Sequence, residues 1–214
     1  MLINTPTDLR NIGFAKIIFS LRQHLGVYRI LALNTNKINE VTNNNSFFYY
    51  LRAAAIEGIT LCICKLYELE KSFELDSIDG LFKELTTVSF APKDFSKTRE
   101  FISLYGGNSD EPDILLAVEK IIERFKNDNK LHIDKFKTYR DKFVAHGESQ
   151  FKSENLPSYD VIERLYNFGY NFYSMISEDF IGAVPALMKP YAETGLRNLI
   201  IQLGVENPKI VFND

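Results

Sequence analysis

The chain has 214 residues, 45% of them hydrophobic and 25% charged, a balance that fits one packed domain over residues 1–214 and excludes a disordered tail. A formal net charge of −3 excludes a broad basic face for nucleic acid, so any RNA contact must be local. The two cysteines, Cys62 and Cys64, are too close in sequence for an ordinary disulfide and too few for a zinc site, and read as reduced core residues.

The opening MLINTPTDLRNIGF has no charged leader ahead of an apolar block, so a signal peptide is not expected. The apolar runs fall short of the ~20 residues that cross a bilayer, so no membrane partner is expected and the expected location is the cytoplasm. A first helix is predicted from about Thr7 to Asn36, with Thr7 or Asp8 as its cap. Thr42–Asn45 is a polar loop. From Ser46 to Phe73 the apolar residues Phe48, Leu51, Ala55, Ile59, Cys62, Leu66, Leu69 and Phe73 advance by threes and fours, one stripe on one long helix. Short helices are expected after Asp76 and after Pro92, and Gly106-Gly107-Asn108 is a loop within the bundle.

Another helix is expected to open at Ser109-Asp-Glu-Pro, where proline suits a first turn. Leu131–Ala145 continues or restarts it, with Gly147 as a natural stop. After a breaker at Ser153–Ser158, the stripe Ile162, Leu165, Gly169, Phe172 and Ile176 marks a helix buried on several sides. A last helix near Val184–Leu203 precedes the tail PKIVFND. The fold class is therefore all-α.

The chemistry concentrates in TYRDKFVAHGE, residues 138–148. On a straight α-helix, Arg140 and His146 would point about 120° apart and stand about 9 Å apart along the axis. To act on one atom they need the helix to end before His146, or a second copy of the chain to supply the partner. Such a pair suits cleavage of RNA: a histidine accepts the 2′-hydroxyl proton, and an arginine holds the scissile phosphate and its growing charge. That reaction requires no metal and no cofactor. Lys130, Lys135, Lys137, Arg140 and Lys142 stand against Asp134 and Asp141, a basic band on an acidic chain. The same residues have an ordinary account as well: a core histidine on the stripe of Phe136, Tyr139 and Phe143, and a solvated basic face favoured by the helix dipole. Both accounts stand on the residues alone.

The run Arg140-Asp141-Lys142-Phe143-Val144-Ala145-His146 resembles the signature of the HEPN superfamily, an arginine and a polar residue trailed a few positions on by a histidine. Its form RDKxxAH is similar to the AbiU-type branch, named for phage abortive infection. FFYYLRAAAIEGITLCICKLYELEKSF and IERLYNFGYNFYSMISE resemble that branch's helices on either side, so the likeness spans Ser46 to Asp179. The resemblance implies an up-and-down helical bundle, with additional helices at the N- and C-termini, that forms a homodimer with two motifs facing across a cleft. It also implies metal-independent RNA cleavage by a toxin or antiphage effector, with an antitoxin or regulatory protein as a further partner. Carried onto this chain, Arg140 and His146 are catalytic and Asp141 orients them. Some toxin-type relatives carry a modifiable tyrosine two positions after the histidine, where this chain has Glu148. Other members bind nucleotides or RNA without cutting, which keeps a non-catalytic binding module as the alternative.

For RNA binding, the candidates are Lys135, Lys137, Lys142, His132 and Arg52, the last on the long helix with Glu57. An exposed helix face explains Arg52 and Glu57 equally. The aromatic group Tyr166, Phe168, Tyr170, Phe172 and Tyr173 offers either core packing or a base-stacking platform. His24 has no partner visible in the sequence.

Overall fold

The computed structural model describes residues 13–68, 77–87, 94–144, 156–182 and 191–209, and every regular element among them is helical. The expected caps Thr7 and Asp8, the stripe residues Leu69 and Phe73, the sites Pro92, His146, Gly147, Glu148 and Val184, and the end of the tail lie outside the described residues.

Helix α1 (Gly13–Thr42) buries Phe14, Ile17, Ile18, Leu21 and Leu25 in the main core. It runs past the expected end at Asn36 because its second half has its own cover. There Ile30, Leu31 and Ile38 pack with Phe48 and with Leu196, Ile200 and Val205 from the C-terminal region. Asn34, buried between them, donates to the Ile30 carbonyl at 2.9 Å and accepts from the Lys209 N–H at 2.8 Å. The helix stops where Asn43 and Asn44 turn left-handed, at φ 51° and 57°, a conformation asparagine tolerates.

Helix α2 (Ser46–Tyr67) opens with the Asn45 side chain accepting from the Phe47 N–H at 2.8 Å. By length and composition it is apolar enough to cross a membrane, although the sequence runs suggested no such segment. It nevertheless serves as a core helix: Phe48, Ala55, Ile59, Cys62, Ile63, Cys64, Leu66 and Tyr67 are buried in the bundle. It ends sooner than its stripe suggests. Glu68 already has an extended backbone, φ −103° and ψ 138°, while its N–H still bonds the Cys64 carbonyl at 2.9 Å. Against α1, Gly58 meets the face of His24, whose ring leaves no room for a Cβ (2.4 Å away). His24 thus has a packing role, and burial lowers its pKa. Burial also raises the Cys62 and Cys64 thiols to about 11 and about 12, so both are inert structural groups at neutral pH.

Helices α3 (Ile78–Thr87) and α4 (Ser96–Leu104) close the bundle's flank. The cap of α4 comes from across the fold: Asp179 accepts from the Thr98 N–H at 2.7 Å and its hydroxyl at 2.6 Å. Gly106, at φ +68°, turns the chain toward helix α5 (Ile114–Asp128). That helix starts later than Pro112 suggests, because Asp113 makes the stronger cap and accepts from the Leu116 N–H at 3.0 Å. Helix α7 (Tyr159–Met175) and a π-helical turn, Ile176–Phe180, form the central strut. Phe168 and Phe172 are fully buried and Tyr166 nearly so, which settles the aromatic group mainly as core. Gly169 lets α7 approach the Ile18 side chain of α1.

Helix α8 (Tyr191–Gln202) lies on the second half of α1. Its Glu193 is only 1% exposed, pressed over Gly26 with the Arg22 guanidinium 3.8 Å away, and its Oε2 has no hydrogen-bond partner among the described residues. Burial raises its pKa, against the pull of Arg22 and Arg29. The folded chain therefore holds this proton more tightly than the unfolded chain, and stability falls as pH rises from the ordinary carboxylate range through the raised folded value. Glu193→Gln should melt above the wild type at pH 8, with the gap closing toward pH 4, in a thermal melt followed by circular dichroism.

Candidate functional site

The site is built where three helices meet. Helix α5 does not run on into the motif helix. It stops at Asn129, which is buried and donates through Nδ2 to the Phe125 carbonyl at 2.8 Å. The Asn129 carbonyl then accepts from the His132 and Ile133 N–H groups at 3.0 Å, and its side-chain oxygen accepts from Arg164 Nε at 3.2 Å. This one residue closes α5, opens α6 (Lys130–Tyr139) and ties the junction to α7.

Helix α6 buries Ile133, Phe136 and Tyr139 against the bundle. At Arg140 the α-helical repeat gives way to a π-helical turn, Arg140–Val144. The straight-helix geometry that set Arg140 and His146 about 120° apart therefore fails at the first motif residue. Wide single turns of this kind are rare, and they gather at functional sites.

The Arg140 side chain is one quarter exposed and meets two carboxylates among the described residues. Its Nε donates to Asp141 Oδ1 at 2.8 Å, and its Nη1 donates to Glu68 Oε2. The Asp141 and Glu68 hydrogen bonds raise its pKa further above an already high value, against burial, so the guanidinium is always charged. Glu68 also faces Lys137, with Nζ 3.8 Å from Oε1. Lys137 lies 3.9 Å from Asp134, which in turn pairs with Lys130 at 2.9 Å. The result is an alternating chain of charges along α6, anchored to the end of α2 by Glu68.

Beside this chain opens a cleft of about 460 Å³, lined by Tyr67, Glu68, Lys126, Asn127, Lys130, Ile133, Asp134 and Lys137. Its floor is rigid: the Tyr67 hydroxyl donates to the Leu165 carbonyl at 2.6 Å, and its ring stacks on Phe125. Lys126 at the rim pairs with Asp79 of α3. Three lysines thus line a concave surface with its own acidic counter-ions, and Arg140 meets it through Glu68. Among the described residues, no cluster of three or more His, Cys, Asp or Glu side chains is placed to hold a metal.

A family model for the HEPN domain of AbiU2 matches residues 14–192. The chain belongs to the AbiU2 family of HEPN domains. No curated protein and no solved structure matches it.

Within this HEPN domain the sequence-predicted residues divide. Arg140 and Lys137 come together on Glu68, Asp141 takes the Nε edge of Arg140, and Lys135 and Lys142 are exposed on the same segment. His132 is half-buried, its Nδ1 has no hydrogen-bond partner among the described residues, and burial, then Arg164 and Lys135, lower its pKa. It is therefore neutral at physiological pH and adds no charge to a phosphate contact. Arg52 stands apart, over the Tyr28 ring at 5.5 Å, about 22 Å along α2 from Tyr67. His146 lies outside the described residues. Glu68 is the residue the sequence did not single out. Read as an interior position of a long helix, it carried no local mark of its link to Arg140, 72 residues away.

Proposed function

We propose that this HEPN domain is a metal-independent endoribonuclease and acts in the cytoplasm as a homodimeric toxin or antiphage effector. What carries the reading is Arg140: a permanently charged guanidinium, held by Glu68 and Asp141 on a π-helical turn, beside a lysine-rimmed cleft. A guanidinium so held is suited to a phosphodiester, because its planar donors match two phosphate oxygens.

In this reaction His146 takes the proton from a ribose 2′-hydroxyl. The 2′-oxygen attacks the adjacent phosphorus, the bond to the 5′-oxygen breaks, and that oxygen leaves with a proton returned by protonated histidine. The products are a 2′,3′-cyclic phosphate and a 5′-hydroxyl. Arg140 stabilises the charge gathered on the non-bridging oxygens, and Asp141 holds its Nε edge. Lys137, Lys135 and Lys142 attract the neighbouring phosphates. A second copy brings its own motif across the cleft, as the family resemblance implies.

One observation favours a second reading. Arg140 already meets two carboxylates, a state equally suited to a binding module that holds RNA or nucleotide without cutting it and works through a protein partner. Incubation of purified protein with labelled total RNA in excess EDTA separates the two. Fragments ending in cyclic phosphate are expected of the nuclease; RNA bound and recovered intact would transfer the conclusion to the binding module.

A further inference from the structure

We infer that Glu68 is the positioning residue for Arg140, a carboxylate lent by a second helix that fixes the phosphate-binding guanidinium and gathers Lys137 to the same side. The inference rests on the nuclease reading for what Arg140 does, but not for how Arg140 is held.

Glu68 is placed for this role by backbone and burial. It is the first residue beyond the last turn of α2, where the chain becomes extended but its N–H stays tied to Cys64. Its side chain is 11% exposed, against 59% for Asp141. Asp141 holds one edge of the guanidinium from an exposed, adjacent position. A second hold at Nη1, from a shielded carboxylate on another helix, fixes its plane. The other oxygen of Glu68 faces Lys137, one turn before Arg140 on the motif helix. Two like charges one turn apart repel, and a shared carboxylate at the cleft wall lets both stand on the same side.

The arrangement has an opposing effect that makes it recognisable. A carboxylate beside the guanidinium repels the phosphodiester it helps to orient. Removing its charge should weaken catalysis and strengthen ground-state binding together, a combination that loss of packing does not produce.

The test compares wild-type full chain with Glu68→Gln and Glu68→Asp in three measurements. The first is kcat on a labelled oligoribonucleotide in EDTA. The second is Kd for its 2′-O-methyl counterpart, which cannot be cut. The third is the NMR signal of the Arg140 Nε–H. Glu68→Gln is expected to lower kcat about tenfold and tighten Kd about two- to threefold, with part of the rate returning in Glu68→Asp. The Nε–H resonance, sharp and slow to exchange in the wild type, should broaden or vanish in Glu68→Gln. An unchanged resonance in Glu68→Gln, or kcat and Kd worsening together in step with a lower melting temperature, would overturn the inference. If the wild type cuts no RNA, the nuclease reading fails, while the Arg140 resonance still decides for or against Glu68.

Discussion

Arg140→Ala should lower the rate of RNA cleavage about 10³-fold without unfolding the chain, because it removes the group assigned to the charge of the transition state. The side chain is one quarter exposed, Asp141 sits at the surface, and Lys137 stays beside the shielded Glu68 carboxylate, so its loss costs little stability. Arg140→Lys should recover only a small part of the rate. A lysine keeps the charge but cannot hold Asp141 and Glu68 through separate edges of one rigid plane. Initial rates on a labelled oligoribonucleotide, with circular dichroism spectra of each variant, check both expectations. A folded Arg140→Ala protein that cuts at the wild-type rate would remove Arg140 from the mechanism.

The largest effect on stability is expected far from that arginine. Phe168 is fully buried at the junction of α4, α5 and α7. It stacks on Phe125 with ring centres 3.8 Å apart and planes 12° from parallel, and meets the edges of Tyr105 at 4.8 Å and Phe101 at 5.5 Å. Phe168→Ala should cost about 3–5 kcal/mol, the usual result of emptying an aromatic site whose walls cannot collapse. For a chain of this size, the melting temperature should fall by about 10 °C. Urea unfolding of the two proteins measures the difference directly, and a cost below about 1 kcal/mol would show that the cluster repacks. Below its new melting point the variant should still cleave RNA, since none of these rings lines the cleft beside Arg140.

The two predictions fall on opposite sides of what the sequence makes legible. The helices of the core announce themselves: the stripes of α2 and α7 are set by local periodicity, and burial of Ile59, Leu66, Ile162, Leu165 and Phe172 follows from them. The family, too, was legible in the motif and its flanking helices. Ends and joints were harder, because they are decided by contacts distant in sequence. The stripe of α2 invites a helix to Phe73, yet the helical backbone stops at Tyr67 and Glu68 turns to Arg140. Pro112 resembles a first turn, but Asp113 takes the cap. α1 outruns Asn36 because Asn34 and Ile38 are covered by the chain's last residues.

The site shows the same division. Arg140, Asp141 and Lys137 could be named from the motif and its basic band. The π-helical turn could not, since nothing in RDKFV distinguishes it from an ordinary helix end. Nor could Glu68, whose importance lies wholly in what it touches.

The central claim is that a ribose 2′-hydroxyl, directed by the Arg140 motif, is the nucleophile. Its most direct test maps one cleavage position in a defined RNA and replaces the ribose there with its 2′-deoxy counterpart, in excess EDTA. The account predicts that cutting stops at that position and continues at unmodified ones, with 2′,3′-cyclic phosphate ends throughout. Cleavage that persists at the 2′-deoxy position would contradict it.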